Sequence, residues 1–378
     1  MKVFVTITSF FLFTGFFASG QDSLSFNGQF SLWTSLSNAG DLPLWGGLRY
    51  LPGINYEVIS ESNVRFDSEL TANLSGYAGL HPFDSLNTSY NIKPYRAWMR
   101  FSSDQYELRI GLQKISFGSA SILRPLMWFD QIDPRDPLQL TDGVWGLLGR
   151  YYFLNNANIW LWILYGNSDI RGWEIIPPNK EIPEFGGRIQ LPIPSGEFAI
   201  TYHNRTADSR HTGQGIPEFE RINENKIGFD AKWDLTAGIW VEGSLTHKNK
   251  NTGLLTNQML LNTGIDYTFG IGNGIYTSFE QLLACYGENF FSYSTKTSFS
   301  LITANYPVGM FDRLGTIFFY NWDDNNLYSY ISWQRQFDTT SLYVMAYWNP
   351  ESEMLPFYRE SQNITGGKGI RVLFVFNH

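Results

Sequence analysis

Three stretches of the chain place charged side chains at every second position. Val64–Ala78 carries Arg65, Asp67, Glu69, Thr71 and Asn73 on one parity. Tyr90–Phe101 carries Arg96, Trp98 and Arg100, and Gln105–Lys114 carries Glu107, Arg109, Gly111 and Gln113. Opposite charges on adjacent strands make a ladder of ion pairs, and a wetted ladder can sort solutes by charge. A ladder that only holds a wall together is the plainer role, each exposed pair contributing about 0–1 kcal/mol. The two roles are compatible. Covalent chemistry has less support. The five histidines, His81, His203, His211, His247 and His378, sit in no catalytic motif, and Gly-x-Ser-x-Gly, His-Glu-x-x-His and phosphate-cradling loops are missing from the sequence. His203 falls on the inward parity near Glu197 and Arg205, where a solvated wall residue is expected. Cys285 is the single cysteine, which excludes a disulfide framework and a cysteine metal cluster. Asp323-Asp324-Asn325-Asn326 reads as a hairpin tip rather than a calcium loop. No catalytic residue, metal or cofactor is expected.

The elements that must carry these side chains are strands. Lys226–Leu235 and Thr256–Phe269 repeat the alternation, the second with Met259, Leu261, Ile265, Tyr267 and Phe269 on one face and Gln258, Asn262, Asp266 and Thr268 on the other. Period two over ten or more residues exceeds the roughly 5–6 residues of an ordinary strand and matches the about 9–11 that a tilted membrane-crossing strand needs. Lipid-facing Arg near mid-membrane would cost roughly 2–4 kcal/mol, so the charged parity must face inward and the apolar parity outward.

Met1–Gly20, with Lys2, the apolar run Val3–Phe17 and Ala18-Ser19-Gly20, reads as a cleavable secretory signal peptide, leaving residues 21–378 as a single domain. No later run is long and apolar enough for a spanning helix, so membrane insertion must use strands. Aromatic residues make up 17% of the chain and charged residues only 16%, against a usual charged share of about 25%. Tyr151-Tyr152, Trp160 with Trp162, Tyr320 with Trp322, and Tyr347-Trp348 cluster near strand ends, as interfacial aromatic girdles do. A net charge of −8 argues against nucleic acid as a partner.

The predicted architecture is all-β, a transmembrane antiparallel up-and-down barrel of about 18 strands, with 16 as the other even count considered. The strands run from Leu24–Ser35 to Gly369–Phe376. Short breaks such as Asn155-Asn156, Pro194–Gly196 and Thr236-Ala237 follow even-numbered strands, as periplasmic turns do. Longer segments follow odd-numbered ones, including Leu36–Gly47, Gly79–Ser89, Ile115–Gly143 and Gly166–Glu184, and these are expected outside the cell. Gly369–His378 is expected to close the barrel against the first strand, and its aromatic Phe376, followed by Asn377-His378, is a near match to the terminal signal that barrel-assembly machinery reads.

Ile115–Gly143 is too apolar for a mobile tip. Leu126, Met127, Trp128 and Phe129 need burial, and the lumen is the nearest shelter. The segment is therefore expected to fold inward as a constriction, with Arg124, Asp130, Asp133, Arg135 and Asp136 turned to the pore or the wall. The other expectation is that its aspartates and prolines are turn formers and Arg135 is structural.

Arg109-Ile110-Gly111-Leu112-Gln113 leading to Phe117-Gly118, followed by Asp133-Pro134-Arg135-Asp136, resembles the Arg-x-Gly-x-Gln-x-x-x-Trp-Gly and Asn-Pro-x-Asp segments of alginate-export-like and related porin-like proteins of Gram-negative outer membranes. Phe117 stands where that pattern has Trp and Asp133 where it has Asn. The resemblance covers some 30 residues and implies an 18-stranded channel class. It does not imply alginate, because the inward face is mixed in charge rather than densely lined with arginine. Together these readings predict an outer-membrane porin-like channel for small hydrophilic solutes. The alternative is a loop-plugged barrel that anchors surface polysaccharide or a partner protein, with Trp98, Trp160 and Trp162 packing the plug or stacking on sugar rings. Expected partners are outer-membrane lipid and lipopolysaccharide, a small hydrophilic solute and the assembly machinery; the oligomeric state is left open. The predicted pore-lining set is Arg65, Asp67, Glu69, Arg96, Trp98, Arg100, Glu107, Arg109 and Gln113.

Overall fold

The computed structural model describes residues 21–39, 42–60, 64–81, 85–213, 215–290, 292–351 and 365–378. The predicted signal segment, Met1–Gly20, lies outside the described residues. Eighteen strands follow in chain order. They are β1 (Gln21–Ser37), β2 (Leu44–Ile59), β3 (Arg65–His81), β4 (Ser85–Ser102), β5 (Tyr106–Gln113) and β6 (Val144–Tyr152). Then come β7 (Asn158–Leu164), β8 (Glu184–Ile193), β9 (Gly196–Ala207), β10 (Ile222–Asp234), β11 (Gly238–Lys248) and β12 (Asn257–Phe269). The last are β13 (Ile275–Gly287), β14 (Thr295–Pro307), β15 (Asp312–Asn321), β16 (Asn326–Gln336), β17 (Thr340–Trp348) and β18 (Lys368–Asn377).

Each strand pairs antiparallel with the next, and β18 returns to β1 over Ser37↔Gly369 to Gln29↔Asn377, so the sheet closes on itself. Closure leaves every strand with two neighbours, the arrangement a bilayer demands of backbone groups that have no water to bond. The alternation read from the sequence holds. Leu70, Met99, Leu108, Ile110, Phe229 and Ile265 are exposed on the outer surface. Thr71, Arg96, Glu107, Asp230 and Asn262, on the other parity, are buried inside. Tyr106, Tyr151 and Phe337 ring the short-turn end of the outer face, and Trp322, Trp348 and Tyr165 the long-loop end. Trp160, Trp162 and Tyr347 correct the expected girdle. Trp162 and Tyr347 are fully buried in the interior and Trp160 packs beside Trp162's cluster.

The hairpins at the start of the chain are taller than predicted. β1 to β4 have 17, 16, 17 and 18 residues, so half of the expected loop Leu36–Gly47 and most of Gly79–Ser89 is paired strand. Polar residues such as Asn87, Thr88 and Ser89 obscured this, since beyond the bilayer a strand has no need of an apolar face. β5, β6 and β7, by contrast, have only 8, 9 and 7 residues. The β4–β5 ladder stops at Ala97↔Leu112, and β4 continues alone on that side, leaving a step in the wall.

Candidate functional site

The segment 114–143, between β5 and β6, folds into the barrel and crosses to the opposite wall. Two carboxylates there receive it. Glu242 on β11 accepts the backbone N–H groups of Ala120 at 2.8 Å and Leu126 at 2.7 Å. Glu280 on β13 accepts those of Ser121 at 2.9 Å, Ile122 at 3.0 Å and Leu123 at 2.6 Å. Hydrogen bonds to charged groups contribute roughly 1.5–3 kcal/mol each, and an irregular backbone in a buried site has no other source of partners. Ser119 donates to Asp230 at 3.0 Å, adding β10 to the contact, and the Trp128 indole N–H donates to Ser244 of β11 at 3.1 Å.

Apolar packing fixes the same path. Ile115, Phe117, Leu126, Trp128 and Phe129 form one cluster with Val144, Leu148, Trp162 and Leu164 of β6 and β7. Leu123 and Met127 join a second with Trp173 and the inward residues of β12 to β17, including Leu282, Phe299 and Tyr328. Gly228 on β10 makes room for the first. A Cβ there would collide with the Leu126 side chain and come within 3.1 Å of Trp128. Gly118 has φ +107°, and a Cβ on it would strike the Glu242 carboxylate.

Each residue singled out on the segment has a partner. Arg124 donates to Asp130 at 2.7 Å, to Ser116 at 3.0 Å and to the Phe117 carbonyl at 2.9 Å, while its own carbonyl accepts the Trp173 indole at 2.8 Å. Arg135 pairs with Asp133 at 2.9 Å and donates to Thr365 at 3.0 Å. Asp136 accepts the Leu138 N–H at 3.0 Å. These charges shape the segment as turn and brace groups.

On the wall from β3 to β6 the predicted ladder comes together. Arg100 bonds Asp67 through two nitrogens, at 2.9 and 2.6 Å. Glu107 receives Arg109 at 3.0 Å, Arg150 at 3.5 Å and Arg100 at 3.9 Å. Glu69 accepts the Trp98 indole at 3.0 Å and the Thr71 hydroxyl at 2.9 Å, and the Arg109 guanidinium lies 4.7 Å from the Trp98 ring centre. Arg65 pairs with Glu57 at 2.9 Å near the short-turn end. Arg96 turns away from the row to the Thr141 carbonyl at 2.9 Å. Gln113 is completely buried and bonds the carbonyls of Arg109 and Gly146.

Sequence reasoning missed a second charged cluster, on β8 to β11. Arg171 and Glu174, from the segment 165–183, dock onto it. Arg171 pairs with Glu184 at 2.8 Å; Glu174 pairs with Lys226 at 2.6 Å and Arg205 at 3.1 Å; Glu224 pairs with Arg205 at 2.5 Å and Lys248 at 3.2 Å. Burial raises the pKa of Glu174, but Arg205, Lys226 and Arg171 outweigh it and hold the carboxyl below its ordinary value. His203 sits at the edge of this cluster and corrects the expectation of a solvated wall residue. It is fully buried, accepts the Trp162 indole at 3.2 Å, lies 3.1 Å from Glu184, and packs against Trp128 and Phe129. The infolded segment covers it. Parity could have found Glu224, Lys226 and Asp230 and their strand partners Arg205, Lys248 and Arg188, but Arg171 and Glu174 sit on a loop with no periodicity.

Among the described residues no group of three His, Cys, Asp or Glu side chains is placed to hold a metal ion. No family model and no curated protein sequence matches the chain. Solved structures do. OccD3 (OpdP) of Pseudomonas aeruginosa superposes with a TM-score of 0.58 at 10% identity, over 95% of this chain and 93% of that one. OccAB1 of Acinetobacter baumannii gives 0.57 at 10%, over 94% and 96%. Wzi of Escherichia coli, an outer-membrane protein involved in group 1 capsule assembly and described as a carbohydrate-binding β-barrel, gives 0.52 at 11%, over 92% and 84%. The chain has the fold of porin-like outer-membrane β-barrels, and its apolar outer belt fits it to that membrane.

Proposed function

We propose that this barrel is an outer-membrane channel for small hydrophilic solutes, narrowed by the 114–143 segment, with its remaining path along the charged wall of β3 to β6. The observation that carries the reading is an asymmetry of solvent access. The wall residues Arg100 and Arg109 keep side-chain exposures of 24% and 14%, whereas Arg188, Arg205 and Glu224 on the opposite wall keep 1–3%. The segment also packs against Val144 and Leu148 of β6, but Arg100 and Arg109 keep more contact with solvent than the charges of the second wall. Arg65, Asp67, Glu69, Trp98, Arg100, Glu107 and Arg109 would line the path, Arg96 and Gln113 would support it, and Arg124, Asp130, Asp133, Arg135 and Asp136 would hold the shape of the constriction. Paired acids and bases along one wall of a wet path would favour polar solutes over apolar ones and discriminate among ions. The test is swelling of liposomes carrying the purified barrel. Uptake of small polar solutes, falling with solute size, is the expected result.

A second reading, a plugged barrel that holds a saccharide, is favoured by the two apolar clusters that bind the segment on both sides. The fold likeness to Wzi is compatible with it. In that case native protein gives no swelling, and swelling appears only when residues 119–140 are removed.

A further inference from the structure

Ser119, Ala120 and Ser121 belong to neither of the apolar clusters that grip the segment. Carboxylates hold them instead. The Ser119 hydroxyl donates to Asp230, the Ala120 N–H to Glu242 and the Ser121 N–H to Glu280. Asp230 is also bonded by two nitrogens of Arg188, at 2.5 and 3.0 Å, so its charge is balanced. Glu242 and Glu280 differ. Both are fully buried, and neither forms an ion pair among the described residues. Their partners are N–H groups. Glu280 takes Ser121 and Ile122 on Oε1, and Leu123 with the Asn262 amide, at 3.3 Å, on Oε2. Two donors on each oxygen use the acceptor positions that a carboxylate offers, so a proton placed on either oxygen would point at an N–H with no lone pair to give. Glu242 takes Leu126 on Oε1 and Ala120 on Oε2.

The groups around the pair are few. Asp230 of β10 and Asn262 of β12 lie beside Glu242 in register. Glu280 faces Gly264 of β12 and Leu301 of β14, with Asp266 and Tyr276 nearer the short-turn end. From the segment, Arg124 acts on both acids at a distance, its guanidinium bonded to Asp130. We propose that Glu242 and Glu280 are an acid-released latch. As anions they hold residues 119–126 against β11 and β13. Protonation takes away the acceptors that these N–H groups need, and residues 119–121 come free of the wall while the apolar clusters keep their flanks. The bonds require the charged form, so they are complete at neutral pH and lost as pH falls through the titration of the two acids. That this release widens a conducting path rests on the channel reading; the latch itself does not.

Ser121 has an exposed side chain, so a nitroxide attached at Ser121→Cys, in a Cys285→Ala background, reports the motion of this stretch. Its spectrum in micelles is compared at about pH 7.5 and about pH 3.5, which bracket ordinary carboxylate titration. The mobile fraction of the label should be small at neutral pH and about tenfold larger in acid. Glu280→Gln keeps the shape and replaces one oxygen by a donor, so it should free the label already at neutral pH. Glu242→Gln combined with Glu280→Gln should respond no further to acid. Heat-modifiable migration shows that each variant is folded. The proposal is overturned if acid leaves the label immobile, if Glu280→Gln holds it at neutral pH as native carboxylates do, or if the double variant keeps the native response to acid. Conductance recorded at the same two pH values separates the readings. A barrel whose label is freed but which never conducts overturns the channel alone, and a conducting barrel whose label stays fixed overturns the latch alone.

Discussion

Glu280 on β13 accepts the backbone N–H of Leu123 at 2.6 Å, from a segment that starts on the far side of the lumen. With the two neighbouring N–H groups it also accepts, this carboxylate turns a chain crossing into a fixed position. Replacing it with Ala leaves the buried Leu123 donor without a partner, which costs about 1–3 kcal/mol, and frees the part-buried donors of Ser121 and Ile122 as well. Glu280→Ala should therefore release the crossing while the barrel still closes. Faster proteolysis within residues 119–127, with heat-modifiable migration retained, is the readout; unchanged protection would remove Glu280 as an anchor.

Gly228 tests the same crossing by volume. Gly228→Val puts side-chain atoms where Leu126 and Trp128 pack, and overpacking of this kind costs about 1–3 kcal/mol. Thermal unfolding in detergent should shift down, with a change in Trp128 emission. A variant as stable as the native protein would mean that the segment does not rest on β10.

The outer face has its own control. Phe229→Arg and Ile265→Arg point into lipid and should each destabilise insertion by roughly 2–4 kcal/mol near the midplane. Folding titrations into bilayers measure it. Tolerance there, with intolerance at the inward Thr71 or Asn262, would mean that the faces are inverted.

Much of this was legible in the sequence because a bilayer imposes period two. The strand number and the inward parity of Asp67, Arg100 and Glu107 follow from that constraint, and the burial of Leu126 to Phe129 from four apolar residues in a row on a loop. The height of β1 to β4 did not, since strand beyond the membrane carries no required pattern. Glu242 and Glu280 were not singled out either: they look like any inward carboxylates until the segment that crosses to them is in place. The same holds for His203, whose burial comes from Trp128 and Phe129, residues more than 70 positions earlier in the chain.

In the proposed channel, charge on the wall of β3 to β6 would set ion preference. Exchanging Arg96, Arg100 and Arg109 together for Gln removes three positive charges and leaves Asp67, Glu69 and Glu107 facing the lumen. Reversal potentials under a salt gradient should move toward cation preference. A loss of barrel stability with no change in ion preference would assign these arginines to the wall alone.

In the proposed channel the 114–143 segment narrows a path without closing it, which single-channel recording in planar bilayers reads at once. Native protein should give discrete, small conductance steps, and protein lacking residues Ser119–Leu140 should give larger ones. Silence from native protein that migrates as a folded barrel, or equal steps with and without those residues, would contradict the account.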